Sequence, residues 1–594
     1  MALMNKAALS RWLPFLAWPR PSASLLGGEL AAGATVGLML VPQGIAYAAL
    51  AGMPLVTGIY ASLLPALIAV LWSSSTRLGV GPTALTSLLV GASLTGLAEP
   101  GSAQWVAMAM WLAILSGALQ LAMGAMRLGW VMQVVTSPVL SGFTQAAALL
   151  ILFSQLPTLL GLQGSLLEVL QSSTETSVDL MGAGFGLTSW ALLWFTKKRW
   201  PRFPSVVVIM AGAAALSAAL GYASKGGSVV GAVPAGLPHL LWPGALSWLV
   251  ASDLVMPVLV ITLVSFLETA SSAKVDHRQG GTRWDENQDL IAHGLAKISS
   301  GFSGAFPTSA SFSRSAINLY AGAKSGWATL FATAIVLIAL LWLTPALYHV
   351  PKSVLAAVVV AAIVNLLQPR LASQLWKVSR PEALIGVATF VLTLATAPRL
   401  YWGVLAGVQL NLIHFMYQRL HPRIIEVGEH SDGSLRDRHL WTLPPLTPRV
   451  LALRMDAELD FASSRSIEQA LATRLQDDPQ IRDVCLFAQP INRIDVTGVE
   501  TLTRLTNLVW ERGARMHISG LKLPVEKALE RAGVLPSPNV HTYRTEYQAL
   551  EALRKIHAEA EETDPHDPHS NPDNPDNRHR DDVIPSDKSI APTH

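Results

Sequence analysis

Cysteine is almost missing from this chain: Cys485 is the only one in 594 residues. An internal disulfide framework is therefore excluded. Charge is also scarce, at 14% Asp, Glu, Lys and Arg, where a soluble domain carries about 25%. What charge there is nearly cancels, at a formal +3, too little to argue for a nucleic-acid partner. No P-loop, nucleotide-fold pattern or metal-ligand spacing occurs, so no enzyme and no cofactor is expected. The basic start (Lys6, Arg11, Arg20) is not followed by a short apolar core and a small-residue cleavage site. Targeting is expected to rest on the first membrane segment itself.

What the chain has instead is apolar length. Hydrophobic residues make up 51%, and long apolar runs fill residues 25–420. The 44 glycines and 37 prolines suit closely packed, interrupted membrane helices. Runs of spanning length, about 20 residues each, are expected near 25–48, 54–72, 81–97, 104–124, 130–154, 183–199 and 205–223. A second set is expected near 244–274, 287–302, 308–321, 327–347, 351–368, 381–398 and 400–418. That makes about fourteen segments in two sets of seven. Lys and Arg gather at the start and after even-numbered segments, as at Arg77, Arg127, Lys197-Lys198-Arg199 and Arg370 to Arg380. The opposite loops hold Glu99, Glu168, Glu175 and Asp179. Both termini are expected to be cytoplasmic, in a multi-pass protein of the plasma (inner) membrane.

The third segment of each set is unusual. One opens Val80-Gly81-Pro82-Thr83-Ala84, the other Phe306-Pro307-Thr308-Ser309-Ala310. A proline near the first helical position is tolerated because its missing N–H would be unpaired there. The N–H groups that follow, with the helix dipole, favour an anion. Arg314 then adds a full charge at a depth where arginine costs roughly 2.5–3.5 kcal/mol. Interrupted segments at matching places in two halves point to a transporter built from inverted repeats, about 25–223 and 244–420, with a midplane site. Glu268, inside the apolar stretch Thr262 to Ser272, is expected to be paired or protonated.

Beyond 420 the character changes. Residues 421–442 read as a polar link and 443–556 as a small α/β domain of alternating strands and helices, including one helix over 545–561. The rest of 557–594, with His566, His569 and His579, reads as a disordered, solvated tail. Residues 1–24 are expected to be a cytoplasmic N-terminus.

Three motifs together resemble a known family. Val41-Pro42-Gln43-Gly44-Ile45-Ala46-Tyr47 through Gly58-Ile59-Tyr60-Ala61-Ser62 is similar to the signature of sulfate permease (SulP, SLC26-type) anion transporters. So are Asn287-Gln288-Asp289-Leu290-Ile291-Ala292 and Ser311-Phe312-Ser313-Arg314-Ser315-Ala316. Ile494-Asp495-Val496-Thr497-Gly498 resembles the STAS domain that this family carries. The resemblance implies a polytopic all-α membrane protein with a seven-plus-seven inverted repeat and a cytoplasmic STAS domain. In it a core of segments 1–4 and 8–11 moves against a gate of segments 5–7 and 12–14, usually in a homodimer. It implies an anion, by default sulfate, held between the facing ends of segments three and ten. Bicarbonate or a C4-dicarboxylate is the alternative substrate, and a STAS-based membrane sensor the alternative class.

On that reading the N–H groups of Thr83, Ala84, Phe312 and Ser313 are the expected donors, and Arg314 supplies the charge. Gln43 and Tyr47, four apart on one helix face, stand beside them. Glu268 would couple transport to H⁺, or to Na⁺ with Ser272, and an ion pair with Arg314 is one expected arrangement. Where many members have Thr-Gly before Ser-Phe-Ser-Arg, this chain has Ser309-Ala310. Thr497 is a candidate regulatory phosphorylation site, with a helix N-cap as the other reading. The STAS domain is also a place for a cytoplasmic protein partner.

Overall fold

The computed structural model describes residues 13–162, 178–200, 203–281 and 283–562. The chain divides into two compact units, one through Ile413 and the other from His414.

In the first unit every expected segment coincides with helix. The first set comprises Ala23–Leu50 (α1), Leu64–Trp72 (α2, after a short helix Val56–Tyr60), Ala84–Leu94 (α3), Ala103–Ala125 (α4), Ser137–Leu159 (α5), Leu180–Arg199 (α6) and Ser205–Ala219 (α7). The second comprises Trp248–Gly280 (α8), Glu286–Phe302 (α9), Phe312–Tyr320 (α10), Trp327–Ile338 (α11), Lys352–Ile363 (α12), Arg380–Ala395 (α13) and Tyr401–Leu420 (α14). Among the described residues, five helices are long and apolar enough to cross a membrane by themselves, including α1, α4, α5 and α8. A further short helix, Leu371–Val378, lies where only a basic loop was expected.

The helices sort by contact. α9 packs on α4 and α2, and α11 on α1, while α5, α6, α12 and α13 pack chiefly on one another. The α4–α9 seam is built on glycine. A Cβ at Gly117 would sit 2.7 Å from the Gly294 carbonyl oxygen, so only glycine lets the two backbones approach this closely. Glu29 of α1, 1% exposed, fixes α11. Its carboxylate accepts from Lys324 N (3.0 Å), Ser325 Oγ (2.8 Å) and Ala328 N (3.1 Å), satisfying N–H groups at that helix start.

The motif Asn287-Gln288-Asp289 has a structural task. Asn287 Oδ1 accepts from Gly129 N (3.0 Å), and Gln288 Nε2 donates to Trp72 O (2.6 Å). Asp289 accepts from Ser73 Oγ (2.7 Å), Ser74 N (2.8 Å), Ser75 Oγ (2.6 Å) and Trp284 Nε1 (2.7 Å). The start of α9 is thereby tied to the loop that leads into the site.

The second unit is a six-stranded sheet. Ile424–Glu429 (β3), Leu435–Asp437 (β4), Val450–Met455 (β5), Asp483–Phe487 (β6), Arg515–Ser519 (β7) and Val540–Tyr543 (β8) lie in the order β4-β3-β5-β6-β7-β8. The run β5 to β8 is parallel and β3 and β4 are antiparallel. The helices Ser464–Asp477 (α15), Val496–Glu511 (α16) and Leu523–Arg531 (α17) share one core with the sheet, through Ile467, Leu505 and Leu529. Glu546–Glu562 (α18) covers the other face with Leu550 and Leu553, against Cys485 and Phe487.

Two expected boundaries are corrected here. The stretch 421–442 is not merely a link, because it supplies β3 and β4. Its charges misled: Glu426, 8% exposed, is paired with Arg438 (3.0 Å) and Arg474 (2.6 Å), while Ile425 and Val427 are buried beside it. The domain also runs past its expected bound of 556, since its final helix, expected over 545–561, ends at Glu562. The remainder of the expected tail, with His566, His569 and His579, lies outside the described residues, as do Glu168 and Glu175.

Candidate functional site

Two short strands make the site. Val80–Gly81 (β1) pairs antiparallel with Ser309–Ala310 (β2), Val80 opposite Ala310 and Gly81 opposite Ser309. Each strand leads directly into a short helix, β1 into α3 and β2 into α10. The pairing therefore brings two helix N-termini together, one from each half of the unit. Ser311 N donates to Gly79 O (3.0 Å) and Gly79 N to Ser315 Oγ (3.0 Å), extending the junction on both sides. Gly79 is required here, since a Cβ would lie 2.7 Å from Arg314 Cβ.

Thr83 caps α3: its Oγ1 accepts from Thr86 N (3.3 Å) and donates to Glu268 Oε2 (3.0 Å). Ser311 caps α10. Ala84 is buried among α1 side chains that include Tyr47. Phe312 and Ser313, at the start of α10, are exposed.

Arg314 is 1% exposed, yet among the described residues its Nε and Nη2 have no hydrogen-bond partner. Only Nη1 is engaged, donating to Gln43 Oε1 at 3.4 Å. A buried guanidinium left this incomplete costs free energy unless a ligand completes it. Its fork suits an oxyanion, and it stands beside two helix N-termini that favour one.

One expected arrangement of the acid is corrected. Glu268 and Arg314 form no ion pair, because Thr83 holds the carboxylate and Gln43 the guanidinium. The Ser272 Oγ donates to its own helix at Glu268 O (2.9 Å), which leaves its lone pairs to face a cation. Among the described residues no group of three or more His, Cys, Asp or Glu could hold a metal ion. In the second unit Thr497 is not the N-cap of α16. That is Asp495, whose Oδ1 accepts from Gly498 N (2.8 Å), and Thr497 is the second helical residue.

One neighbour was missed from the sequence. Lys297 of α9, 0% exposed, donates from Nζ to Gln120 Oε1 of α4 (3.0 Å) and to Ser265 Oγ of α8. Ser265 lies one turn before Glu268, and its carbonyl accepts from Ser309 Oγ of β2 (2.8 Å). A lysine within Gly294-Leu295-Ala296-Lys297-Ile298 was the available signal.

Residues 26–389 match the sulfate permease family and 444–549 the STAS domain. A probable sulfate transporter of Arabidopsis thaliana is 31% identical over 85% of this chain and 78% of its own. The sodium-independent sulfate anion transporter of Bos taurus is 30% identical, over 88% of each chain. Among solved structures, murine Solute Carrier 26 family member A9, an anion transporter in the inward-facing state, superposes with TM-score 0.83. It is 22% identical and covers 93% of this chain and 95% of its own. The transmembrane domain of a cyanobacterial bicarbonate transporter gives TM-score 0.56 at 21% identity, over 65% and 98%. The chain belongs to the sulfate permease family, as a multi-pass membrane anion transporter rather than an enzyme, with a STAS domain at its C-terminal side.

Proposed function

We propose that this protein is a secondary active transporter of a small inorganic oxyanion, sulfate first, working by alternating access and coupled to H⁺ or Na⁺. The observation that carries the reading is the β1–β2 pairing, with a buried Arg314 whose Nε and Nη2 are unengaged beside two helix N-termini. The N–H groups of Thr83, Ala84, Phe312 and Ser313 donate to the anion, Arg314 offers its free edge, and Gln43 and Tyr47 line the site from α1. The relatives named as sulfate transporters support sulfate as the first substrate. Bicarbonate and C4-dicarboxylates are the alternatives, because a backbone cradle accepts any oxyanion.

Coupling follows from Thr83, which bonds both the start of α3 and the Glu268 carboxylate. An ionised carboxylate only accepts, whereas a protonated one must donate one of its hydrogen bonds. A proton, or a cation held against Oε2 and the Ser272 lone pairs, would therefore rearrange the cap at one wall of the anion site. The remaining assignments belong to the same proposal. The transporter is a homodimer in the plasma (inner) membrane with both termini cytoplasmic. Its core is α1–α4 with α8–α11 and its gate α5–α7 with α12–α14, and Thr497 and a protein partner act at the STAS domain.

Uptake of labelled sulfate by the purified chain in proteoliposomes tests the reading, with bicarbonate and succinate as competitors. Saturable sulfate uptake supports it. Failure to move any of the three with Arg314 intact rejects it.

A further inference from the structure

The buried charges of the first unit differ in how they are answered. Arg77 pairs with Asp276 (2.5 Å), Glu29 takes the start of α11, and Asp289 takes three serines and Trp284. Three charges around β1 and β2 are not answered in this way. Glu268 has Thr83, Arg314 has Gln43, and Lys297 has Gln120 and Ser265. None of these partners carries an opposite charge.

The Lys297 contacts use it as a donor. Gln120 Oε1 can only accept, and Ser265 Oγ already gives its proton to Thr262 O (3.2 Å). Neutral acceptors solvate an ammonium without cancelling its field, and in a dry interior that field reaches further than in water. Its route to the site is short: Ser265 is one turn from Glu268 and is bonded to Ser309 of β2.

We propose that Lys297 is held as an ammonium, a second cation of the transport site, and sets the site's preference for dianions over monoanions. The proposal rests on the anion-site reading of β1, β2 and Arg314. With Glu268 ionised, the three groups sum to one positive charge. With Glu268 protonated, or balanced by a bound cation, they sum to two. A dianion then leaves the loaded site neutral, whereas a monoanion leaves a buried positive charge. For a unit charge roughly 10 Å away at an effective dielectric of about 20, the two anion classes separate by about tenfold in affinity.

The experiment uses the full-length protein in liposomes, with sulfate and succinate as dianions and nitrate and bicarbonate as monoanions. The readout is the sulfate-to-nitrate ratio of kcat/KM, which does not depend on how much protein is active. Lys297→Met and Lys297→Gln, the second able to keep a hydrogen bond to its neighbours, are expected to lower the ratio about tenfold. Lys297→Arg is expected to hold it near the wild-type value. A ratio unchanged in both uncharged variants overturns the proposal while leaving the transport reading in place. A wild type that prefers nitrate or bicarbonate to sulfate also overturns it, and needs no variant to fold. A wild type that moves none of the four anions rejects the transport reading and the role of Lys297 with it.

Discussion

Arg314 in the membrane unit and Asp483 in the STAS unit are both buried charges, 1% and 0% exposed, and their surroundings are opposite. Asp483 is surrounded by donors. Its carboxylate accepts from Arg515 Nε (2.8 Å) and Nη2 (3.1 Å), bonds His517 Nε2 (2.9 Å), and has His557 Nε2 at 3.2 Å. Arg314 has one long bond to a neutral amide and two idle nitrogens. A buried charge answered on every side fixes a fold, as Asp483 fixes β6 to β7 and α18. One left unanswered marks the place where something else must bind. Burial alone therefore says little, and the partner count separates structure from function.

The largest effect that could break this contrast is on transport. Arg314→Gln is expected to lower sulfate kcat/KM by about a hundredfold or more, through loss of a charge-assisted bidentate contact. Asp483→Asn should leave uptake per folded molecule within about twofold. A comparable loss in both variants would erase the distinction.

Asp483→Asn should act instead on its own unit. Withdrawing the charge from Arg515 and His517 is expected to cost about 2–3 kcal/mol locally. Cys485, its neighbour but one on β6, is the chain's single thiol, so it reports there alone. Burial, and then the charges of Asp483 and Glu546, push that thiol up to about 12. Maleimide labelling at pH 8 should thus be negligible in the native protein and about thirtyfold or more faster in the variant. Equal labelling rates would show that the cluster is not what holds β6 in place.

Glu268→Gln sharpens the contrast from the side of coupling. Gradient-driven accumulation is expected to fall about tenfold while anion exchange persists, because an amide cannot follow the proton or balance a cation. Accumulation that keeps its full dependence on the pH or Na⁺ gradient would exclude Glu268 as the coupling group.

The pH response of Asp483 is a smaller effect. Burial alone would raise its pKa, but the hydrogen bonds from His517 and Arg515, with their charges, hold it below the usual carboxylate range. The stability it contributes is therefore complete above the ordinary aspartate value of about 4 and lost as pH falls from there through the folded value. Hydrogen exchange of β6 and β7 in the full-length protein should stay slow down to about pH 4 and speed up below it. Loss of protection already at pH 6 would assign the response to the histidines instead.

The smallest expected change is at the helix cap. Thr83→Val removes both the cap of α3 and the donor to Glu268. About 1 kcal/mol is involved, so sulfate KM should rise severalfold with little loss of folded protein.

Much of this is legible in the sequence alone. Pro82, Thr83, Pro307 and Arg314 announce the site because each is a local statement: a proline near a helix start, a hydroxyl cap, a charge in an apolar run. Glycine and cap chemistry act over one turn, and so do their sequence signals. What escaped depends on which side chain meets which across the fold. Glu268 and Arg314 look like an ion pair on charge alone, but Thr83 and Gln43 reach them first. Lys297 reads as one more polar residue of an amphipathic helix until α4 and α8 close around it. Residues 421–442 read as a link because Glu426 and Arg438 look solvated, whereas their ion pair, joined by Arg474 of α15, goes with a buried strand β3. At Thr497 the error was of two residues, since Asp495 is the better cap and takes the position.

The central claim, that the idle edge of Arg314 beside the paired N-termini of α3 and α10 holds the anion, is tested most directly by equilibrium binding. Radiolabelled sulfate would be titrated onto the purified full-length wild type, Arg314→Gln and Asp483→Asn. The account predicts equal Kd for wild type and Asp483→Asn, and a Kd about a hundredfold weaker for Arg314→Gln. Wild-type affinity retained in Arg314→Gln would contradict it.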